Sequence, residues 1–261
     1  MAIHESAGAE TTRACLLTLA SSPGLDRIHV LQNTLTSITR LNQWVDLGCG
    51  EGEATVSIHP PARIRHVAVD VVQPISPPPD FVCAEIPAFI AGADLGPNCA
   101  VSMLDVIEHF PRAEAIALLE TLERKAGAVV IFTPDGFFPQ DATTDQAFVD
   151  KPYQWHRSGW TKEEFVERGY SVVWFPALHM GFGGFAAVRV NQWPWADYLR
   201  WRIGIELLRM RPFANPFTFA GAWKEHIRSR HGDAWWYALP RQWKRRLSGA
   251  RSSTAGSHDK K

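Results

Sequence analysis

The chain is poor in cysteine: Cys15, Cys49, Cys83 and Cys99 are the only four in 261 residues, and no two stand at C-x-x-C spacing. That excludes a zinc knuckle and a disulfide framework, and it fits a reducing compartment. No apolar run approaches the ~18 residues that a membrane-spanning helix needs. The first residues carry Glu5 and Glu10 where a secretory signal would be basic and then apolar. The expected location is cytoplasmic, or peripheral at the inner face of a membrane. Net charge is missing too, with 27 Lys+Arg against 27 Asp+Glu, yet the balance hides an asymmetry. Residues 191–261 hold 14 basic and 5 acidic side chains, which leaves 13 and 22 for residues 1–190. The two parts are built for different company.

What is present reads as a folded α/β protein. A hydrophobic fraction of 46% with 21% charged residues is that of a globular chain rather than a disordered one. Helical spacing of apolar residues runs from Ala7 to Ala20 and from Leu25 to Leu41, broken at Ser21, Ser22, Pro23 and Gly24. Short apolar runs then alternate with helical segments, the pattern of a parallel sheet with crossover helices. Strands are expected at Trp44–Leu47, His66–Val69, Phe81–Ala84, Ala100–Leu104 and Ala128–Phe132, with a helix over Pro111–Glu123. A long polar loop, Thr133–Gly159, precedes a short helix that Thr161 can cap and Gly169 can end. Tyr170–Phe175 and Phe185–Val190 read as a closing antiparallel pair. The expected division is an N-terminal helical segment (1–41), a ligand-binding α/β domain (42–190), a Trp/Arg-rich extension (191–248) and a disordered tail (249–261).

The most informative stretch is Trp44-Val45-Asp46-Leu47-Gly48-Cys49-Gly50-Glu51-Gly52, a strand that runs straight into G-x-G-x-G. Glycines at that turn let a ligand lie against bare backbone. Asp70, 22 residues after Gly48, ends the next strand, where a carboxylate can accept hydrogen bonds from ribose hydroxyls. The spacing differs from the dinucleotide pattern G-x-G-x-x-G, whose helix N-terminus faces pyrophosphate. Here Asp46 and Glu51 put negative charge around the bend, which repels pyrophosphate and tolerates a ligand bearing a sulfonium and an ammonium.

On these residues the sequence resembles the class I S-adenosylmethionine-dependent methyltransferases over about residues 42–190. The resemblance implies a Rossmann-like, doubly wound, seven-stranded sheet, mostly parallel with a C-terminal antiparallel strand, and S-adenosyl-L-methionine as cofactor. Asp46, Gly48, Cys49, Gly50, Gly52 and Asp70 would contact that cofactor. The segment Leu104-Asp105-Val106-Ile107-Glu108-His109-Phe110 is similar to the D-V-I-E-H stretch of the same superfamily, including ubiquinone-pathway O-methyltransferases. It implies Leu104 and Asp105 beside the cofactor, with Glu108 and His109 at the mouth of the acceptor pocket. Relatives often place an Asp after the third strand; this chain has Cys83-Ala84-Glu85 there.

A third segment, Lys151-Pro152-Tyr153-Gln154-Trp155-His156-Arg157-Ser158-Gly159-Trp160-Thr161, follows the fifth strand at the edge where ligands collect in such sheets. Tyr153 and Trp160 offer aromatic faces to a sugar or ring. His156 and His109 are the candidate general bases for a hydroxyl acceptor, because imidazole titrates near neutrality. The expected acceptor is a small molecule or glycan, free or lipid-linked.

Two other readings stay open. Asp105, Glu108, His109 and His156 could together bind a divalent ion. That resembles the metal site of small-RNA 3′-end 2′-O-methyltransferases, down to the H-x-x-x-W-T spacing at His156, Trp160 and Thr161, although those enzymes have Glu where this chain has Asp105. The other reading is a non-catalytic nucleoside-binding or scaffold protein.

In the extension, Trp195, Leu199, Ile203 and Leu207 recur every four residues, giving an apolar helix face with basic flanks. Three uses are physically open: packing on the rest of the chain or on a second subunit, resting on an anionic membrane, and binding nucleic acid, for which no recognition module is visible.

Overall fold

The computed structural model describes residues 18–20, 25–52, 57–178, 182–191 and 194–214. Eight strands form one sheet: β1 (Thr18–Ala20), β2 (Gln43–Leu47), β3 (Arg65–Asp70), β4 (Phe81–Cys83), β5 (Cys99–Leu104), β6 (Ala128–Pro134), β7 (Ser171–Leu178) and β8 (Phe182–Val190). Their order across the sheet is β1-β7-β8-β6-β5-β2-β3-β4. All neighbours are parallel except β8, which runs antiparallel to both β6 and β7. This is the doubly wound, Rossmann-like sheet expected from the sequence, with one strand more than the expected seven.

The extra strand is a correction. Thr18–Ala20 ends a segment whose spacing suggests a helix, yet it pairs in parallel with Val172–Trp174 of β7. An edge strand's unmet N–H and C=O groups outweigh a local helical preference. The rest of the expected Ala7–Ala20 helix, and the tail 249–261, lie outside the described residues.

Helices cover both faces. One layer holds α2 (Ile86–Gly92), α3 (Arg112–Lys125) and α4 (Lys162–Glu167); the other holds α1 (Arg27–Ser37) and α5 (Trp195–Ala214). Alternation along the strands supplies both cores. Val45 and Leu47 face the first layer and Trp44 the second, while in β6 Val129 and Ile131 oppose Val130 and Phe132. The ends of α4 follow from local chemistry. Thr161 and Glu164 form a reciprocal capping box, and Gly169, just past the helix, takes φ +87°.

In the extension, α5 packs on α1. The Asn33 side-chain amide donates to the Trp201 carbonyl at 2.8 Å, the Trp201 indole donates to Thr34 Oγ1 at 3.0 Å, and Asp197 accepts from the Thr39 backbone N–H at 3.3 Å. Tyr198, Trp201 and Ile205 are buried there, whereas Trp195, Leu199, Ile203 and Leu207 are exposed. The helix therefore has two apolar faces, and the regular stripe in the sequence is the outer one. Among the described residues no helix is long and apolar enough to cross a membrane.

Candidate functional site

Strand order reverses direction between β2 and β5, and open sheets of this kind hold ligands outside the carboxyl ends of the strands at such a point. The bend Gly48–Gly52 leaves β2 there. Gly48 and Gly50 have φ of +73° and +54°, a region that costs other residues about 1–2 kcal/mol. A Cβ on Gly48 would also meet Val106, whereas a Cβ on Gly50 would meet nothing within 4 Å. The bend is thus pressed against the loop after β5 at one glycine and open at the next.

Asp70, at the end of β3, holds the bend. Its Oδ2 accepts from the Gly50 N–H at 2.8 Å and its Oδ1 from the Val72 N–H at 2.9 Å. Asp46 lies inside the strand, fully buried, with Oδ1 accepting from Ser102 Oγ at 2.6 Å; Ser102 Oγ in turn accepts from the Trp44 indole at 2.8 Å. Oδ2 of Asp46 is buried without a hydrogen-bond partner. Desolvation pushes its carboxyl up to about 7, against the Ser102 hydrogen bond, and the nearby Asp70 charge adds to the rise. Cys49 is also buried, and its thiol is pushed up to about 12, by desolvation first and then by Asp46 and Asp70. It is a small space-filling side chain rather than a nucleophile.

The loop after β5 carries the second group. Asp105 is the one described non-glycine residue at positive φ, +55°, and its carboxylate pairs with Arg27 at the start of α1, 3.5 Å away. Ile107–His109 form one turn of 3₁₀ helix that buries Glu108. Glu108 Oε2 accepts from Thr133 Oγ1 at 3.0 Å, and Oε1 has no partner. Burial pushes this carboxyl up to about 8, with the Asp105 charge adding to the effect.

The Glu108 backbone carbonyl accepts from the N–H groups of both Arg157 and Ser158, at 2.7 and 3.0 Å. That junction brings the long loop to the strand ends and sets the His109 and His156 ring centroids 5.0 Å apart. The two imidazoles differ. His156 Nδ1 lies 2.7 Å from the Phe138 carbonyl. A carbonyl can only accept, so Nδ1 carries the hydrogen and the ring lone pair sits on Nε2. His109 has a carbonyl at each nitrogen, Asp105 at 3.1 Å and Trp155 at 3.3 Å, and desolvation lowers its pKa.

The expected acceptor residues separate. Tyr153 is 46% exposed on the 3₁₀ turn Pro152–Gln154. Trp160 is 1% exposed in the core, with Phe165 beside it and the Arg112 guanidinium 3.7 Å over its ring. Its indole donates to Ser158 Oγ at 3.0 Å. No sugar can reach that ring, so the expected aromatic platform at Trp160 is corrected to a structural anchor. Arg112 completes the anchor by donating to the Gly159 carbonyl at 2.6 Å and pairing with Glu164. Leu104, half-buried, closes β5 beside Asp105. Sequence reasoning missed Arg27 and Thr133. Neither belongs to a motif, and only tertiary packing brings them to Asp105 and Glu108.

Ligand atoms of Glu108, His109 and His156 all lie within 4.8 Å of one another. Asp105, expected as a fourth, is outside that group.

No protein-family model matches the chain, and no curated protein does. Among solved structures, the small RNA methyltransferase HEN1 is 18% identical over 64% of this chain and 25% of its own length, with a TM-score of 0.43. This chain thus spans a quarter of that protein. The N-terminal domain of EvdMO1 with SAH bound is 12% identical over 64% of this chain and 82% of that one, with a TM-score of 0.44. A SAM-dependent methyltransferase from Archaeoglobus fulgidus is 14% identical over 64% and 95%, with a TM-score of 0.45. At this similarity no activity or substrate carries over from those proteins to this one.

Proposed function

We propose that the chain is an S-adenosylmethionine-dependent methyltransferase that acts on an oxygen of a small molecule or glycan, free or lipid-linked. The observation that carries this reading is the open glycine bend at the switch point between β2 and β5, held by Asp70, with buried Asp46 behind it and the loop that carries Asp105 packed on Gly48 through Val106. The residues present fit the cofactor. Asp46 Oδ2 is a buried carboxylate oxygen without a partner, an energetic cost that a cationic ligand group nearby would offset. Gly50 has open space where a side chain would stand, so a ligand can approach its backbone, and Asp70 has the acceptor oxygens that ribose hydroxyls require. When bound, the cofactor supplies an electrophilic methyl group on a sulfonium.

The chain's own part is alignment, exclusion of water and removal of one proton. His156 takes the proton of the acceptor hydroxyl at Nε2, while the Phe138 carbonyl holds the ring and favours the imidazolium that forms. His109, whose neutral ring can donate to only one of the two carbonyls beside it, positions the 3₁₀ turn and the His156 ring rather than moving protons. Incubation with methyl-labelled S-adenosylmethionine and fractionated extract tests the reading. Label is expected in a hydroxylated small-molecule, glycan or glycolipid fraction, and no transfer to any fraction would overturn it.

A second reading is favoured by the Glu108, His109 and His156 group. One carboxylate and two imidazoles suit a divalent transition-metal ion, and the acceptor would then be the terminal ribose of an RNA. One feature counts against it: Asp105 is engaged by Arg27 and lies outside the group. Activity that survives a chelator and excludes RNA removes this reading.

A further inference from the structure

The outer face of α5 is apolar and faces away from the core. Trp195, Leu199, Ile203 and Leu207 are 68%, 42%, 49% and 61% exposed. At 3.6 residues per turn they form one stripe, diametrically opposite the buried Trp201 and Ile205. The helix cannot roll to hide them. Its inner face is fixed on α1 by the Asn33–Trp201, Trp201–Thr34 and Thr39–Asp197 hydrogen bonds, and Gly204 sits so close to Asn33 that a Cβ there would overlap it.

The borders of the stripe are basic. Arg200 lies along one edge, and Arg202 and Arg209 lie along the other. Arg200 pairs with Asp197 and Arg209 with Glu206 on the same helix, while the Arg202 residue is exposed. The sequence that follows, residues 215–261, continues the bias with 10 Lys+Arg against 3 Asp+Glu and four further Trp.

We infer that this face rests on an anionic lipid bilayer, with the helix lying in the interface plane. An apolar stripe led by Trp and flanked by Arg matches what such a surface requires: Trp and Leu enter the boundary of the acyl chains while guanidinium groups meet the headgroup phosphates. Charge narrows the possible occupants. The chain's own residues 215–261, or the same face of a second copy, would bring arginines against basic groups, which leaves an anionic lipid surface or the acidic residues 1–190 of a second copy. The Trp-led stripe favours lipid, and the dimer outcome below tests the other. The inference rests on α5 and stands whether or not the site transfers a methyl group.

Co-sedimentation of the full chain with sucrose-loaded vesicles tests it. One set contains phosphatidylcholine with phosphatidylglycerol and the other phosphatidylcholine alone. The chain is expected to sediment with the anionic set, less so as salt rises and weakly with the neutral set. The double substitution Leu199→Glu/Ile203→Glu should weaken that binding by about tenfold or more. Both positions are exposed, so the melting curve should stay unchanged; if it does not, Leu199→Ala/Ile203→Ala takes its place, with a smaller loss of binding expected. Failure of the full chain to bind anionic vesicles would overturn the inference. Equal binding by the substituted chain would do the same, as would a dimer that these substitutions dissociate without any effect on vesicles.

Discussion

Gly48 and Val106 are in contact across the switch point: a Cβ on Gly48 would come within 2.5 Å of Val106 Cγ2. The bend after β2 and the loop after β5 are therefore one unit, and the donor side of the site is built on that contact. Gly48→Ala should lower the melting temperature and weaken S-adenosylmethionine binding together, since it adds about 1–2 kcal/mol of backbone strain at φ +73° to the clash. Adding Val106→Ala should restore part of both, because it removes the clash and leaves the strain. Calorimetry and thermal melts of the single and double variants check this; a double variant no better than Gly48→Ala would mean the contact is incidental.

Asp46 makes stability depend on pH in a direction unusual for a carboxyl. Its pKa is raised from 3.8 to about 7 by burial, so the folded chain keeps a proton that the unfolded chain has lost between those values. Stability is then greatest below about pH 4 as far as this group is concerned, and it falls as pH rises through about 7, by on the order of a few kcal/mol. Asp46→Asn should flatten that part of the profile. Melting temperatures of both chains across pH 4–8 provide the comparison, and parallel curves would contradict the assignment.

Asp70 holds the bend through Gly50 and is also the expected ribose contact. Asp70→Ala removes both, and the dissociation constant for S-adenosylmethionine should rise at least about tenfold, the equivalent of roughly 1.4 kcal/mol. An unchanged constant would take the residue out of the donor site.

His156→Ala should lower kcat by about 10²–10⁴-fold, the usual contribution of a general base, and leave donor affinity untouched. His109→Gln should cost less, because its two carbonyl contacts assign it to positioning. Titration with a chelator accompanies both, since loss of activity in the unsubstituted chain on chelation would move His156 from base to metal ligand.

Much of the sheet was legible because its signals are local. The short apolar runs of β2 and β6, the box at Thr161 and Glu164, and the glycine after α4 each act within a few residues. β1 was not legible, because Thr18–Ala20 is a strand only by virtue of the open edge of β7. In the site, the sequence exposed the bend, Asp70 and the D-V-I-E-H segment. It could not show that Trp160 points into the core under Arg112, since an aromatic residue beside a loop histidine looks the same whether it faces a ligand or a helix. The stripe on α5 is a related case: the spacing showed an apolar face, and only the packing of Trp201 on α1 shows which way that face looks.

The most direct test of the account is isothermal titration of the full chain with S-adenosylmethionine, and with its demethylated product, at a pH above 7, where Asp46 is ionised. Saturable heat at one site is expected for each ligand, greatly reduced in the Asp70→Ala chain. No heat with either ligand from a chain that melts cooperatively would contradict it.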